Sequence, residues 1–344
     1  MRFLMFAAVA GVLASTPAHA QQQRWSLVIH GGAGIIERAN LTPELEAQYR
    51  ASLDGAVRAG GDLLARGGTS LDAVELVIQR LEDDPLFNAG RGAVFTAEGR
   101  NELDASIMDG RTRAAGAVAG LTSTRHPISV ARAVMERLPH VMLIGEGAES
   151  FARAQNLEAV DLSYFFTERR WRQLEDNLRL NNLPIPSRPT GAPRDERSQV
   201  SPDDHQFGTV GVVARDVRGD IAAGTSTGGT TGKRWGRVGD APVIGAGTYA
   251  QNGVCGVSAT GTGEYFIRIG VARAICARME LRRQSAQAAA DAVMDEVGAI
   301  GGDGGVIVMD GRGRIAWSMN TPGMYRARLT QGGEPAIHIF ADED

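Results

Sequence analysis

Apolar side chains recur along this chain with two different periods. Between residues 43 and 66, Leu45, Tyr49, Leu53, Val57 and Leu64 return at roughly helical spacing, which predicts an amphipathic helix. Thr69 or Ser70 caps a second, with Leu71, Val74, Ile78 and Leu81 as its apolar face. Pro127 opens a third that runs to about Arg137, and further helices are predicted over 148–155, 265–283 and 285–297. Strand-like runs fill 25–30, 103–108, 116–121, 141–144, 209–215, 220–224, 254–259, 305–309, 314–319 and 336–340. Asp109-Gly110, Arg218-Gly219 and Asp310-Gly311-Arg312-Gly313 supply turns between neighbours. Strands in antiparallel-like pairs and helices in pairs predict a layered α+β fold rather than a doubly wound parallel sheet.

Two stretches break this rhythm. Residues 1–20 begin with the charge of Arg2, continue with an apolar run from Phe3 to Leu13, and end on Ala18-His19-Ala20. That is the layout of a secretory signal peptide cut after Ala20, and the run is too short to span a bilayer. A periplasmic or secreted protein is expected, without a membrane anchor once the signal is removed. The second stretch, 181–206, holds Pro184, Pro186, Pro189, Pro193 and Pro202 among many charges and few apolar anchors. It reads as a mobile linker, because little apolar burial offsets its ordering entropy. Order returns at Gly208.

Composition narrows the field. A formal net charge of −4 gives no electrostatic reason to expect nucleic acid. The six histidines show no metal-ligand spacing, and there is no Cys-x-x-Cys, so a catalytic zinc is not expected. Cys255 and Cys276 are too few for a disulfide scaffold. They read as two buried thiols, although an oxidising compartment would allow them to pair.

The chemistry concentrates after the linker. Gly208-Thr209-Val210-Gly211 stands where the strand pattern resumes. A threonine hydroxyl is a weak nucleophile, but one beside its own free α-amine has a built-in base. The junction therefore reads as a self-cleavage point that makes Thr209 an N-terminal residue. Gly224-Thr225-Ser226-Thr227-Gly228 matches the Gly-x-Ser-x-Gly elbow of serine hydrolases, but that elbow needs a helix next, and Gly229-Thr230-Thr231-Gly232-Lys233 is turn-rich. The same turn lacks phosphate-loop spacing. In Gly236-Arg237-Val238-Gly239-Asp240, Arg237 and Asp240 form either a surface ion pair or a clamp for a zwitterion, Arg on the carboxylate and Asp on the ammonium. Thr260-Gly261-Thr262-Gly263-Glu264 follows a strand and opens a helix, as an oxyanion hole or a cap.

Taken in order, these stretches resemble the plant-type asparaginases, the isoaspartyl peptidase/L-asparaginases among the N-terminal nucleophile hydrolases. His30-Gly31-Gly32-Ala33-Gly34, the run from Pro85-Leu86-Phe87-Asn88-Ala89-Gly90 to Leu103-Asp104-Ala105-Ser106-Ile107-Met108-Asp109-Gly110, and Asn320-Thr321-Pro322-Gly323-Met324 extend the likeness over nearly all of the mature chain. The resemblance implies a four-layer αββα sandwich, cut into an α subunit (21–208) and a β subunit (209–344) that stay together and pair as (αβ)2. It implies Thr209 as nucleophile with Thr227 supporting its hydroxyl. Arg237 and Asp240 would hold the substrate, Thr260 and Gly261 its oxyanion, with Gly263 and Asn88 lining the site. It also implies a structural sodium on the backbone carbonyls of Leu81, Glu82, Asp84, Phe87, Ala89 and Arg91, and no cofactor in the chemistry. Substrates would be β-aspartyl dipeptides and L-asparagine. Three readings compete: N4-(β-N-acetylglucosaminyl)-L-asparaginase, threonine aspartase, and a non-catalytic periplasmic binding protein for amino acids or peptides.

Overall fold

Residues 24–192 and 208–343 are described by a computed structural model of the chain. The expected signal peptide lies outside them, as do residues 193–207. The strands, in chain order, are β1 (Ser26–Gly34), β2 (Leu103–Asp109), β3 (Ala115–Leu121), β4 (Met142–Ile144), β5 (Val210–Arg215), β6 (Ile221–Thr227), β7 (Thr248–Gln251), β8 (Cys255–Gly261), β9 (Gly304–Asp310), β10 (Ile315–Met319), β11 (Gly323–Thr330) and β12 (Ala336–Phe340). The helices are α1 (Pro43–Ala65), α2 (Ser70–Asp83), α3 (Pro127–Arg137), α4 (Gly145–Ala154), α5 (Glu168–Leu180), α6 (Gly263–Ile269), α7 (Val271–Arg282) and α8 (Ala286–Ala299). No helix of the described residues is long and apolar enough to cross a membrane.

Two sheets form, one in the order β12-β11-β1-β5-β6-β2-β3-β4 and one in the order β10-β9-β8-β7. Side-chain alternation along the central strands decides what each face covers. Leu27 and Ile29 on β1, with Val212 and Ala214 on β5, join Leu53, Val57, Val74 and Ile78 of α1 and α2 in one core. Val28 and Val213, one residue out of phase, point the other way and join Val257, Val308 and the helix residues Ile275 and Val293 in a second core. Helices α1, α2 and α3 pack on the large sheet, α7 and α8 on the small one, and the sheets face each other through β1, β5 and β6 against β8 and β9. The architecture is α+β, two stacked sheets flanked by helices; the paired strands and paired helices predict the layered α+β class.

Helix boundaries follow capping chemistry. Thr42 Oγ1 accepts from Leu45 N at 3.3 Å ahead of Pro43, and Thr69 Oγ1, not Ser70, accepts from Asp72 N at 3.0 Å. The single helix expected over 265–283 is instead two, α6 and α7, broken at Gly270 with φ +67°. Helix α5 was not predicted. Its heavily charged sequence hides a stripe of Trp171, Leu174 and Leu178 that packs on Phe95 and Phe166. Strand β11 was also not predicted, because the fully buried Arg326 interrupts its apolar pattern; its guanidinium donates to the carbonyls of Met324 and Phe340.

Two expectations are corrected. Cys255 and Cys276 are joined in a disulfide between β8 and α7, so they are not two separate thiols. The start of the 181–206 stretch has anchors that its composition hides. Arg188 grips the Glu168 carboxylate at 2.6 and 2.8 Å, and Leu183 and Ala192 lie against the Phe95–Trp171 cluster.

Candidate active site

Strand β5 begins one residue after Thr209, so the Gly208–Thr209 peptide sits where the chain enters the sheet. Val210 pairs with Ser226, which brings the end of β6 opposite Thr209. Thr209 is only 8% exposed, and its Oγ1 donates to Thr227 Oγ1 at 3.0 Å. Gly229 N–H donates to the same Thr227 oxygen at 3.0 Å and fixes it in place. Just upstream, the Gly208 carbonyl accepts from Asn88 N–H at 3.0 Å. Asn88 is itself pinned: its Nδ2 donates to Gly229 O at 2.7 Å, and its Oδ1 accepts from Val94 N at 2.9 Å. One asparagine thus ties the carbonyl of residue 208 to the turn that holds Thr227.

The glycine motif of β1 closes the other side. His30 Nδ1 lies 3.0 Å from the Thr209 carbonyl oxygen. Burial pushes the His30 pKa down to about 3 against the opposing hydrogen bond to Thr209, so the ring is neutral. The register of β1 shifts between His30 and Gly32, where φ is +113°, and a Cβ on Gly32 would lie 2.4 Å from Gly208 Cα. This motif is therefore packed around residues 208 and 209.

Arg237 and Asp240 do not pair with each other. Arg237 Nε and Nη2 donate to the two oxygens of Glu264, each at 2.9 Å. Asp240 is buried, and its Oδ2 has no hydrogen-bond partner among the described residues. Burial raises its pKa to about 7, opposed by its own backbone N–H and by Arg237. Gly263 lies against it: a Cβ there would be 2.8 Å from Asp240 N and 2.9 Å from Oδ1. Arg237 also approaches the nucleophile side, since a Cβ on Gly229 would be 3.4 Å from its Nη1. The Arg237 cation thus reaches the turn that holds Thr227, and the Asp240 carboxylate lies against Gly263.

Thr260 is fully buried at the end of β8, and its Oγ1 accepts from Ala33 N at 3.4 Å. Gly261 follows it, so close to Asp303 O that a Cβ would sit 2.3 Å away. Thr262 makes no side-chain cap to α6; its hydroxyl bonds Asp303 instead. The capping reading of this motif therefore fails at Thr262. Ser226, centre of the Gly-x-Ser-x-Gly match, lies inside β6 and donates to the buried Glu82 carboxylate at 2.6 Å, with a turn and no helix after it. It has no nucleophile geometry.

The loop from Leu81 to Arg91, with Glu82, Asp84, Phe87 and Ala89 between, curls tightly on itself. A Cβ on Gly90 would fall 2.3 Å from Glu82 O, and one on Gly92 2.1 Å from Phe87 O. The turn therefore leaves no room for a side chain at Gly90 or Gly92. Among the described residues no group of three or more His, Cys, Asp or Glu side chains could hold a metal ion.

Of the residues that the sequence singles out, Thr209 bonds Thr227 and Asn88 holds both the Gly208 carbonyl and Gly229; Arg237 stands by Gly229, Gly263 lies against Asp240, Thr260 meets Ala33 of the β1 glycine motif, and Gly261 lies against Asp303. Sequence reasoning missed the contact of His30 with residue 209 and the pairing of Arg237 with Glu264.

The chain is similar to known proteins over most of its length. The family model described as Asparaginase matches residues 23–339. The isoaspartyl peptidase of Salmonella typhimurium is 46% identical over 317 residues, covering 92% of this chain and 98% of that protein. The isoaspartyl peptidase of Escherichia coli is 46% identical over 318 residues, 92% and 96% of the two chains. The plant-type L-asparaginase of Pyrococcus abyssi is 41% identical over 317 residues, 91% and 99% of the two. With a family match and full-length relatives that agree, the chain belongs to the asparaginase family of hydrolases, which takes in isoaspartyl peptidases and plant-type L-asparaginases.

Proposed function

We propose that this chain is an exported isoaspartyl peptidase/L-asparaginase that cuts its own Gly208–Thr209 bond and then uses Thr209 as nucleophile. The observation that carries the reading is the buried hydroxyl contact of Thr209 with Thr227, beside a Gly208 carbonyl already held by Asn88 N–H. In the uncut chain, Thr209 Oγ1 attacks the Gly208 carbonyl carbon. The developing oxyanion is held by Asn88 N–H, the C–N bond breaks, and the departing nitrogen takes up the hydroxyl proton. Water then hydrolyses the resulting ester, leaving a Gly208 carboxylate and a Thr209 with both hydroxyl and free α-amine. With a reference pKa of about 7.7–8.0, that amine is neutral often enough near pH 7.5 to act as general base.

The substrate half of the reading rests on charge. An α-ammonium would satisfy the unpartnered Asp240 Oδ2, and an α-carboxylate would take the Glu264 side of Arg237. The β-carbonyl then faces Thr209. Thr209 Oγ1 attacks, Thr260 and Gly261 hold the oxyanion, and ammonia or an amino acid leaves with the proton taken by the α-amine. Water clears the β-aspartyl ester. The carbonyl cradle of 81–91 would hold a sodium ion that braces the Asn88 loop and takes no part in the steps. Two cut chains would associate as (αβ)2. Export to an oxidising compartment is supported by the Cys255–Cys276 bridge, since disulfides persist there.

Intact mass and N-terminal sequencing test the reading. A fragment beginning Thr-Val-Gly is expected, and Thr209→Ala should remain one inactive chain. An active protein without that fragment would overturn it. Assays of a β-aspartyl dipeptide, asparagine and N-acetylglucosaminyl asparagine side by side separate it from the glycosylasparaginase reading. An uncut chain that binds aspartate would favour the binding-protein reading.

A further inference from the structure

The steps above leave unused a run of polar side chains between the two sheets. His30, Ser106, Thr225, Thr248 and Ser258 are all fully buried. They touch in sequence. His30 Nε2 is 2.9 Å from Ser258 Oγ, which is 2.7 Å from Thr225 Oγ1. Thr225 Oγ1 is 2.5 Å from Thr248 Oγ1, and that oxygen is 2.8 Å from Ser106 Oγ. Ser106 Oγ ends the run 2.6 Å from Ala241 O. A longer contact, 3.2 Å, joins Thr225 Oγ1 to Gly247 O.

Counting protons gives the run a direction. The Thr209 carbonyl can only accept, so His30 Nδ1 carries the hydrogen. A neutral ring then has a bare Nε2, and Ser258 must donate to it. Ser258 has one proton, so the 2.7 Å contact requires Thr225 to donate to Ser258. By the same rule, Thr248 donates to Thr225. Ser106 gives its one proton to Ala241 O, so its 2.8 Å contact with Thr248 is left without a hydrogen, as is the 3.2 Å contact of Thr225 with Gly247 O, because the Thr225 proton goes to Ser258. Donation thus passes from Thr248 through Thr225 and Ser258 to His30, and from His30 to residue 209. Space for the His30–Ser258 link depends on Gly211, where a Cβ would be 1.9 Å from Ser258 Oγ and 2.1 Å from His30 Nε2.

We infer that His30 is a positioning residue for Thr209, locked in its Nδ1–H tautomer by the buried hydroxyl relay of Ser258, Thr225 and Thr248. This rests on the reading of Thr209 as an N-terminal nucleophile. After scission residue 209 is a chain end, outside the β1–β5 ladder, whose pairs run from His30–Gly211 to Ser26–Arg215. Its hydroxyl is held by Thr227 and its carbonyl by His30. Losing the second hold leaves the amine and hydroxyl free to rotate out of line, which lowers turnover and leaves the Arg237–Asp240 clamp intact.

The test separates this from a merely structural role. Thr225→Val is isosteric and removes a hydroxyl two links from His30; Thr225→Ser restores it. Both proteins are first shown by intact mass to be cut as the parent is. Thr225→Val should lower kcat about tenfold, the size of one lost hydrogen bond, with KM changed less than about twofold, and Thr225→Ser should recover kcat. Independently, long-range ¹⁵N–¹H spectra of the uncut Thr209→Ala protein should show His30 as the Nδ1–H tautomer, and Ser258→Ala should mix the tautomers. An Nε2–H tautomer, a Thr225→Val protein with unchanged kcat, or equal losses in Thr225→Val and Thr225→Ser would overturn the inference. The spectra need neither cleavage nor turnover, so failure of the nucleophile reading is seen separately, as an active but uncut parent.

Discussion

Asp240→Asn should stabilise the protein while destroying substrate binding. Asp240 is buried, its Oδ2 has no partner among the described residues, and burial raises its pKa from 3.8 to about 7. A carboxyl whose folded pKa is raised favours folding fully below its unfolded value and loses that contribution as pH climbs through the folded one. Above pH 7 the folded state therefore carries the whole cost of a buried, unsatisfied carboxylate. The difference corresponds to about 4 kcal/mol at about 1.4 kcal/mol per pH unit. Asparagine has no charge to bury, so the gain should be near zero below about pH 4, grow between about pH 4 and 7, and level off above. At pH 8 a gain of this size raises the thermal midpoint by roughly 8 °C. Placing both proteins in a Thr209→Ala background keeps every sample a single chain, and melts at pH 4, 6 and 8 read the curve. In the otherwise unaltered protein, the same change should leave self-cleavage intact and lower kcat/KM at least about a hundredfold, because the ammonium loses its charged partner. A gain that does not vary with pH, or a loss of stability at pH 8, would show that the carboxylate is satisfied and that the charge argument is wrong.

Glu264→Gln should lower KM by about threefold, because the substrate carboxylate no longer displaces a paired anion; the effect is small because the Glu264 side chain is 54% exposed. A raised KM would mean that Glu264 helps to aim Arg237. Arg237→Ala should raise KM strongly with self-cleavage unchanged, and normal affinity would remove it from the clamp. Replacing Cys255 and Cys276 by serine should cost about 3 kcal/mol, given the sequence separation of 21, and lower the thermal midpoint by several degrees. Reductant should then have no further effect on the double variant.

What the sequence made legible and what it hid divide along physical lines. Thr209, Arg237 and Asp240 stood out because each combines an unusual chemistry with flanking glycines, and both features are local. The strand-like runs of β1 and β5 and a cap at Thr69 or Ser70 are local signals as well, and the structure places strands there and gives the cap to Thr69. The role of His30 was hidden because its partners lie 179 and 228 residues away, and nothing near it in the chain marks them. Thr225, Thr248 and Ser258 look like ordinary strand residues; only the stacking of the two sheets turns them into a relay. Strand β11 is obscured by Arg326, whose buried charge is met by carbonyls of its own strand, Met324, and of the neighbouring β12, Phe340. The disulfide was missed for the same reason: 21 residues of sequence say nothing of whether β8 and α7 meet.

The close meeting of Gly32 with Gly208 supports one further argument. Gly32 has φ +113°, and an added Cβ would strike Gly208 Cα at 2.4 Å and Gly208 C at 2.9 Å. The obstacle is backbone, which cannot swing aside as a side chain would, so Gly32→Ala must push residue 208 away. Its carbonyl would then leave Asn88 N–H, and the scissile carbon would move from Thr209 Oγ1. The rest of β1 should survive, because its pairs with β5 run from Ser26 to His30 and do not include residue 32. Gly32→Ala is therefore expected to fold yet remain a single uncut chain. Gly67→Ala is the matched control: φ is +84° but nothing lies within 4 Å, so it carries the left-handed strain, about 1 kcal/mol, without the collision. Intact mass after purification reads both. If Gly32→Ala were cut at the parent's rate, the scissile peptide would not depend on this contact, and the packing of β1 against residue 208 would be structural only.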